Sequence, residues 1–306
     1  MSNNLLFYVV EPEDHLTWLR DVFKMKLPLS RALLNRLKVQ EKIRVNGQCA
    51  HTNYRLQPGD LVTVDLDLEE SSPILPQDIP IDIVYQDEDI MVINKPAGMA
   101  VHPIKGKLES TLANAVTYYW LQYGKSRLFR PVNRLDKNTS GLVLIAKSQY
   151  AHQAMFRQQK QGQVQRRYLA VVEGIVTEGQ GCIDLPIGYA EPGSPIFRKV
   201  AENGKSAITH FTVIKRYQHQ TLLSLRLETG RTHQIRIHMS HLGHPVCGDL
   251  IYGHPSPLIG RQALHAGWTS FFQPRTLKPM QFEVPLPTDM QDLLDGQTCP
   301  SLNRYI

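Results

Sequence analysis

Cysteine is scarce in this 306-residue chain: Cys49, Cys182, Cys247 and Cys299 stand far apart, and no CxxC pair occurs. That excludes a disulfide-stapled scaffold and a thiolate metal site, and fits a reducing, cytoplasmic setting. No apolar run approaches the roughly 18 residues that a membrane-spanning helix needs. The opening, MSNNLLFYVVEPEDH, carries acids where a secretory signal would be basic. Internal repeats and low-complexity tracts are absent. With 42% hydrophobic and 20% charged residues, the composition indicates neither a disordered chain nor a membrane protein.

What the chain does have is clustered positive charge. The net charge is only +6, but nine Lys/Arg between Arg20 and Arg55 face just Asp21 and Glu41. Between Lys125 and Tyr168, ten basic residues face one acid, Asp136. Such stretches suit a polyanionic partner, since each phosphate contact releases counterions. A solvated basic face is the alternative.

Two domains are expected, residues 1–75 and 76–306. The first reads as a small α/β module: Ser30 caps a helix lined by Leu33, Leu34 and Leu37, an Asn46-Gly47 turn follows a short strand, and LVTVDL forms another. The stretch EESSPILPQDIP, where both periodicities vanish, reads as a linker. Beyond it, strands outnumber helices without a regular βα repeat. Helices are expected after Ser110 or Thr111 and after Ser148, and a hairpin across Gln218 to Gln220. The pattern predicts an α+β domain around a mixed, largely antiparallel sheet with flanking helices.

Three segments could carry chemistry. In RPVNRLDKNTSGLVLIAKS, Asp136 lies in a polar loop among Arg134 and Lys137, where a carboxylate stays ionised and available as a nucleophile; a turn-forming Asp is the alternative. No nearby second acid supports a retaining glycosidase. In LETGRTHQIRIHMSHLGHPVCGD, helical spacing lets Arg231, Gln234 and His238 share a face. An arginine at a helix start opposes the dipole, so a carboxylate or phosphate partner is expected for Arg231. His233, His238, His241 and His244 raise a zinc reading, but HxxH lacks a third ligand in a closed site. In QRRYLAVVEG, strand alternation can aim Tyr168 at a cleft and Arg167 away from it; a core aromatic fits the pattern equally. In NKPAGMAVHP, Lys95 ends a strand and His102 follows in a loop, lining a pocket or only turning the chain.

Taken together, these segments resemble the RluA-type RNA pseudouridine synthases. NRLDKNTSGLVLIAK resembles that family's catalytic motif. INKPAGMAVHP, RRYLAVVEG, GRTHQIRIHMSHLGHPVCGD and ALHAGWTSFFQP match its other blocks in order, so the resemblance spans about residues 81–287. LSRALLNRLKVQEKIRVNG and YRLQPGDLV resemble the small RNA-binding domain shared with the fourth small-subunit ribosomal protein.

The resemblance implies the pseudouridine synthase fold, a basic cleft, and no metal or organic cofactor. It implies an isomerase that detaches uracil from ribose, rotates it and rejoins it through carbon 5. Asp136 matches the catalytic aspartate, Tyr168 the tyrosine that contacts the base, and Arg231 the arginine that pairs with the aspartate. Asn133 stands where the family usually has histidine, and is expected to alter substrate handling. Arg134, Asn133, Lys95 and His102 are the expected substrate-binding residues around the cleft, and Arg31, Arg36 and Lys42 the phosphate-gripping ones on the module. The partner is RNA, with large-subunit ribosomal RNA favoured over tRNA. A monomer without membrane contact or obligate protein partner is expected. A noncatalytic RNA-binding assembly factor is the competing reading.

Overall fold

The computed structural model describes residues 4–68, 70, 72–103, 108–190 and 197–296. Cys299 lies outside them. The N-terminal part contributes β1 (Leu5–Val9), α1 (Leu19–Met25), α2 (Arg31–Val39), β2 (Ile43–Val45), β3 (Gln48–Cys49) and β4 (Leu61–Asp65). These strands form an antiparallel sheet in the order β1-β4-β2-β3. Ser30 caps α2 by accepting the Leu33 N–H, and Leu33 and Leu37 turn inward onto Val62, Val64 and Phe23. Asn46 and Gly47 both take positive φ, as a two-residue turn between β2 and β3 requires.

The rest of the chain gives β5 (Asp82–Gln86), β6 (Ile90–Lys95), α3 (Leu112–Gln122), β7 (Arg130–Pro131), β8 (Ser140–Ala146), α4 (Gln149–Lys160) and β9 (Gln165–Glu173). It continues with β10 (Gln180–Asp184), β11 (Ile187–Tyr189), β12 (Arg198–Val200), β13 (Ile208–Arg216), β14 (Gln220–Leu227), α5 (Gln234–His241), β15 (Leu264–Phe272), β16 (Pro279–Glu283) and α6 (Thr288–Asp295). A ten-stranded sheet runs β10-β13-β14-β9-β15-β8-β6-β5, with β16 beside β15 and β7 beside β8. Every pairing in it is antiparallel except β15 with β8.

Layering explains why the central strands read as unbroken apolar runs. On β6 and β8, Met91, Ile93, Val143 and Ile145 pack towards α3 and α6, against Val116, Trp120 and Leu293. Their alternates Ile90, Val92, Leu142 and Leu144 pack towards α4, against Ala151 and Met155. A strand covered on both faces has no polar side to show. Thr111 and Ser148 cap α3 and α4 through the Asn114 and Ala151 N–H groups.

The parallel contact of β8 with β15 depends on Gly141. It sits opposite Ala266 at φ +111°, and a Cβ there would lie 2.3 Å from the Ala266 carbonyl oxygen. The two chain segments can approach only because this residue has no side chain. The approach anchors β8 immediately after the polar loop that carries Asp136.

The N-terminal part is fastened to the sheet domain by carboxylates of the connecting segment. Glu70, almost fully buried, accepts from Arg36 at 2.8 Å and from Arg130 at 2.5 Å. Asp67 pairs with Lys125 and Arg127. Tyr150 of α4 completes the N-terminal core. No helix among the described residues is long and apolar enough to cross a membrane.

Candidate active site

Asp136 stands on the loop between β7 and β8, and that loop is held from several sides. Asn133 behaves as an extra strand residue: its Nδ2 donates to the Leu142 carbonyl at 3.1 Å, and its Oδ1 accepts the Leu144 N–H at 2.8 Å. Lys95 Nζ donates to the Lys137 carbonyl at 3.2 Å and Arg261 Nη1 to the Asn138 carbonyl at 3.2 Å. The Thr139 N–H returns to the Asp136 carbonyl, closing a turn. The side chain of Asp136 is thereby presented at 26% exposure on a rigid support.

Across from it, α5 contributes Arg236, which is buried with only 5% of its side chain exposed. Its Nη1 lies 3.1 Å from Asp136 Oδ2. Its Nε and Nη2 make a two-pronged pair with Asp249, at 2.6 and 2.7 Å. Asp249 is fully buried and also accepts the Ile251 and Tyr252 N–H groups. Burial opposes the charge of both partners. Their mutual hydrogen bonds outweigh it, so the guanidinium pKa is raised and the Asp249 carboxyl lowered. Arg236 thus enters the site as a fixed cation.

Tyr168 projects from β9 into the same small cleft, together with Leu135, Leu227 and Leu264. Burial pushes its phenol up; Arg166 opposes this and Asp136 adds to it. A neutral phenol with an apolar ring can stack on a base and still carry a proton. Its neighbour Arg167 points to the other side and lies over the Trp268 ring, 4.4 Å from its centre. Arg134 and Arg231 sit at the mouth.

Several expectations need correction. Arg231 does not pair with Asp136. α5 begins only at Gln234, so Arg231 lies in the preceding turn, exposed, and its Nε donates to the Ser206 carbonyl at 2.9 Å. The carboxylate partner is Arg236, whose buried place between Ile235 and Ile237 demands a counter-charge. The signal was an arginine inside an apolar helical run.

Asn133 does not face the cleft, because both its polar groups are spent on the β8 backbone. Lys95 is completely buried and donates to the Pro96, Met99 and Lys137 carbonyls. Burial pushes its ammonium down to about 7, against the pull of Asp136. It ties two loops together and offers nothing to a substrate. On the N-terminal part, Arg36 is engaged by Glu70 and Gln149, and Lys42 by Asp65 at 2.8 Å. Arg31 stays exposed at the first turn of α2. His102 packs edge-on against Phe129, and burial and Arg134 lower its pKa.

The histidines that raised a zinc reading do not converge. His238 is taken up by Thr209 and the Leu185 carbonyl, His244 by the Glu173 carbonyl, and His233 by the Tyr252 hydroxyl.

A carboxylate held by a buried arginine, beside a neutral tyrosine and under a rim of exposed arginines, suits chemistry on a nucleotide inserted from an RNA. Residues 89–241 match the RNA pseudouridylate synthase family. The chain belongs to that family. As an RNA pseudouridine synthase it resembles YlyB of Bacillus subtilis, with 42% identity over 86% of this chain and 89% of the relative. The ribosomal large subunit pseudouridine synthase D of Escherichia coli K12 is 37% identical over 87% of this chain and 86% of its own length. Among solved structures, human RNA pseudouridylate synthase domain containing 1 superposes with a TM-score of 0.57. It shares 26% identity and covers 72% of this chain and 96% of that one. The synthase converts uridine to pseudouridine in RNA, and it has the mixed, largely antiparallel sheet of the RluA-like superfamily.

Proposed function

We propose that this synthase acts on uridines of large-subunit ribosomal RNA in the cytoplasm, with Asp136 as the reacting carboxylate. The observation that carries the catalytic part is the Asp136–Arg236 pair at 3.1 Å beside Tyr168 in one cleft. Asp136 attacks the glycosidic carbon or the ring, or takes a proton from the ribose. Arg236 holds and aims it. Tyr168 stacks on the extruded base and serves the proton transfer that completes isomerisation. Arg134 and Arg231 hold the flanking phosphates at the mouth. Substrate and product are isomers, so no energy source or redox partner enters the reaction.

The choice of ribosomal RNA is supported by the name of the E. coli relative, a ribosomal large subunit pseudouridine synthase, and by the N-terminal module. That module, residues 1–75, grips RNA outside the cleft. With Arg36 and Lys42 in partly buried ion pairs, the grip falls to the exposed Arg31, to Arg20, whose only acidic partner among the described residues is the partly exposed Asp21 at 3.9 Å, and to Arg55; the Arg20 and Arg55 guanidinium groups lie 5.2 and 3.7 Å from the Trp18 ring centre. An aromatic beside arginines suits stacked bases and phosphates together. The test offers ribosomal RNA and tRNA, labelled with tritium at carbon 5 of uridine and taken from a strain lacking the gene, separately to the enzyme. Release from ribosomal RNA alone is expected; release from tRNA alone refutes the assignment.

A further inference from the structure

Arg236 and His233 both address a single oxygen of Asp136. Oδ2 receives Arg236 Nη1 at 3.1 Å and faces His233 Nε2 at 3.8 Å, and no donor among the described residues is paired with Oδ1. His233 reaches this place through an uncommon backbone. It caps α5 in the left-handed region, φ 59° and ψ 18°, yet its side chain makes no capping hydrogen bond. A residue with a Cβ held there without a capping role points to a function for its side chain.

The far side of the ring offers a donor to Nδ1. Tyr252 Oη lies 2.9 Å from His233 Nδ1 and receives the Arg198 N–H at 3.4 Å. With Tyr252 accepting from Arg198, its own proton is free to donate to Nδ1. The imidazole proton then sits on Nε2, towards the carboxylate. The other tautomer would set a nitrogen lone pair against Asp136. Tyr252 is itself placed by Asp249, which accepts its N–H, and its ring lies 5.1 Å from the Arg236 guanidinium. One buried carboxylate therefore positions both groups that address Asp136.

We infer that His233, oriented by Tyr252, is a positioning residue: Arg236 is bonded to Oδ2, the Nε2–H of His233 faces the same oxygen from 3.8 Å, and Oδ1 is left as the reacting oxygen. The inference rests on the isomerase reading and says which atom of Asp136 does the work. His233 is neutral in this role. Burial lowers its pKa, Arg236 and Arg198 assist, and Asp136 and Asp249 oppose them. Protonation at acid pH turns it into a full counter-ion of Asp136 and weakens the carboxylate as base or nucleophile.

Two measurements test this. The first follows single-turnover tritium release from total RNA labelled at carbon 5 of uridine, prepared from a strain lacking the gene. His233→Ala is expected to slow release about 10²-fold, the scale of a misplaced reacting group, with RNA retention on filters unchanged. His233→Gln can place an amide N–H near the Nε2 position. It should recover most of the rate and lose the part of the acidic fall that protonated His233 causes. Tyr252→Phe keeps the ring over Arg236 and should fall between the two. A His233→Ala rate equal to that of the unaltered protein, or a Gln variant no faster than the Ala variant, overturns the inference.

The second measurement needs no substrate, and so separates this inference from the isomerase reading. Nitrogen-15 spectra of the histidine rings in the free protein should show His233 protonated on Nε2, with its pKa falling in Asp136→Asn. An Nδ1-protonated ring, or a pKa indifferent to Asp136, overturns the inference even if the enzyme proves active. Absence of tritium release by the unaltered protein overturns the isomerase reading, while the spectra still decide the inference.

Discussion

Arg236 holds Asp136 with one nitrogen, at 3.1 Å, while its other two donors are fixed on Asp249. The Asp136 carboxylate is thus oriented by a guanidinium that cannot swing away without stranding a buried charge. The same residue serves the site and the core.

Removing Arg236 should therefore cost stability as well as activity. Arg236→Ala leaves Asp249 buried without its counter-ion, which costs about 3–5 kcal/mol. Arg236→Lys keeps the charge but not the two-pronged geometry, and should fold better than the Ala variant while remaining slow. Arg231→Ala, exposed in its turn, should unfold within about 0.5 kcal/mol of the unaltered protein. Urea denaturation of the three variants checks the order; an Arg231→Ala loss equal to that of Arg236→Ala would refute it.

Asn133 gives a second separation. Asn133→Ala leaves the Leu142 carbonyl and the Leu144 N–H without partners in a buried place, at about 1–3 kcal/mol. RNA affinity should stay the same, because the side chain does not face the cleft. Filter binding beside thermal denaturation distinguishes this from a substrate-contact role, which would weaken binding and leave the melting temperature in place.

Gly141→Ala should be among the most damaging small substitutions. A methyl group would meet the Ala266 carbonyl oxygen at 2.3 Å, on a backbone at φ +111°. Overpacking alone costs about 1–3 kcal/mol, and the backbone conformation adds to it. The measurement is the urea midpoint; a shift smaller than that of Asn133→Ala would contradict the close approach.

His265 sets a pH dependence of stability. It is buried against Ser140, 2.9 Å away through Nδ1, and burial pushes it down from 6.5 to about 4. Between those values the unfolded chain binds a proton that the folded chain refuses. Stability is therefore lost as pH falls from about 6.5 to about 4, by about 3 kcal/mol in all. His265→Asn, which can keep a partner for Ser140, should reduce the loss between pH 7 and pH 4.5 by about 2 kcal/mol. Equal losses in the two proteins would count against it.

Much of the fold is legible in local chemistry. Ser30, Thr111 and Ser148 announce helix starts because a cap is a contact within three residues. The run LVLIA reads as a buried strand because both its faces are covered. The candidate cleft was legible only where one short segment carries each lining residue, as with Asp136 and Tyr168, which line it together. Arg231 and Arg236 are separated by the true start of α5, and only the three-dimensional position of Asp249 decides between them. Glu70 and Asp65 neutralise Arg36 and Lys42 across the chain, a long-range pairing that leaves no trace in the pattern of basic residues. Asn133 could not be placed because its partners are backbone groups of a strand whose register is set elsewhere.

The proposed isomerisation depends on the carboxylate of Asp136. Asp136→Asn keeps the size and hydrogen-bonding capacity of the side chain and removes its charge. Single-turnover tritium release from carbon 5 of uridine in the substrate RNA should fall by more than about 10³-fold, with RNA binding retained. Release within tenfold of the unaltered protein would contradict the account and move the chemistry away from this cleft.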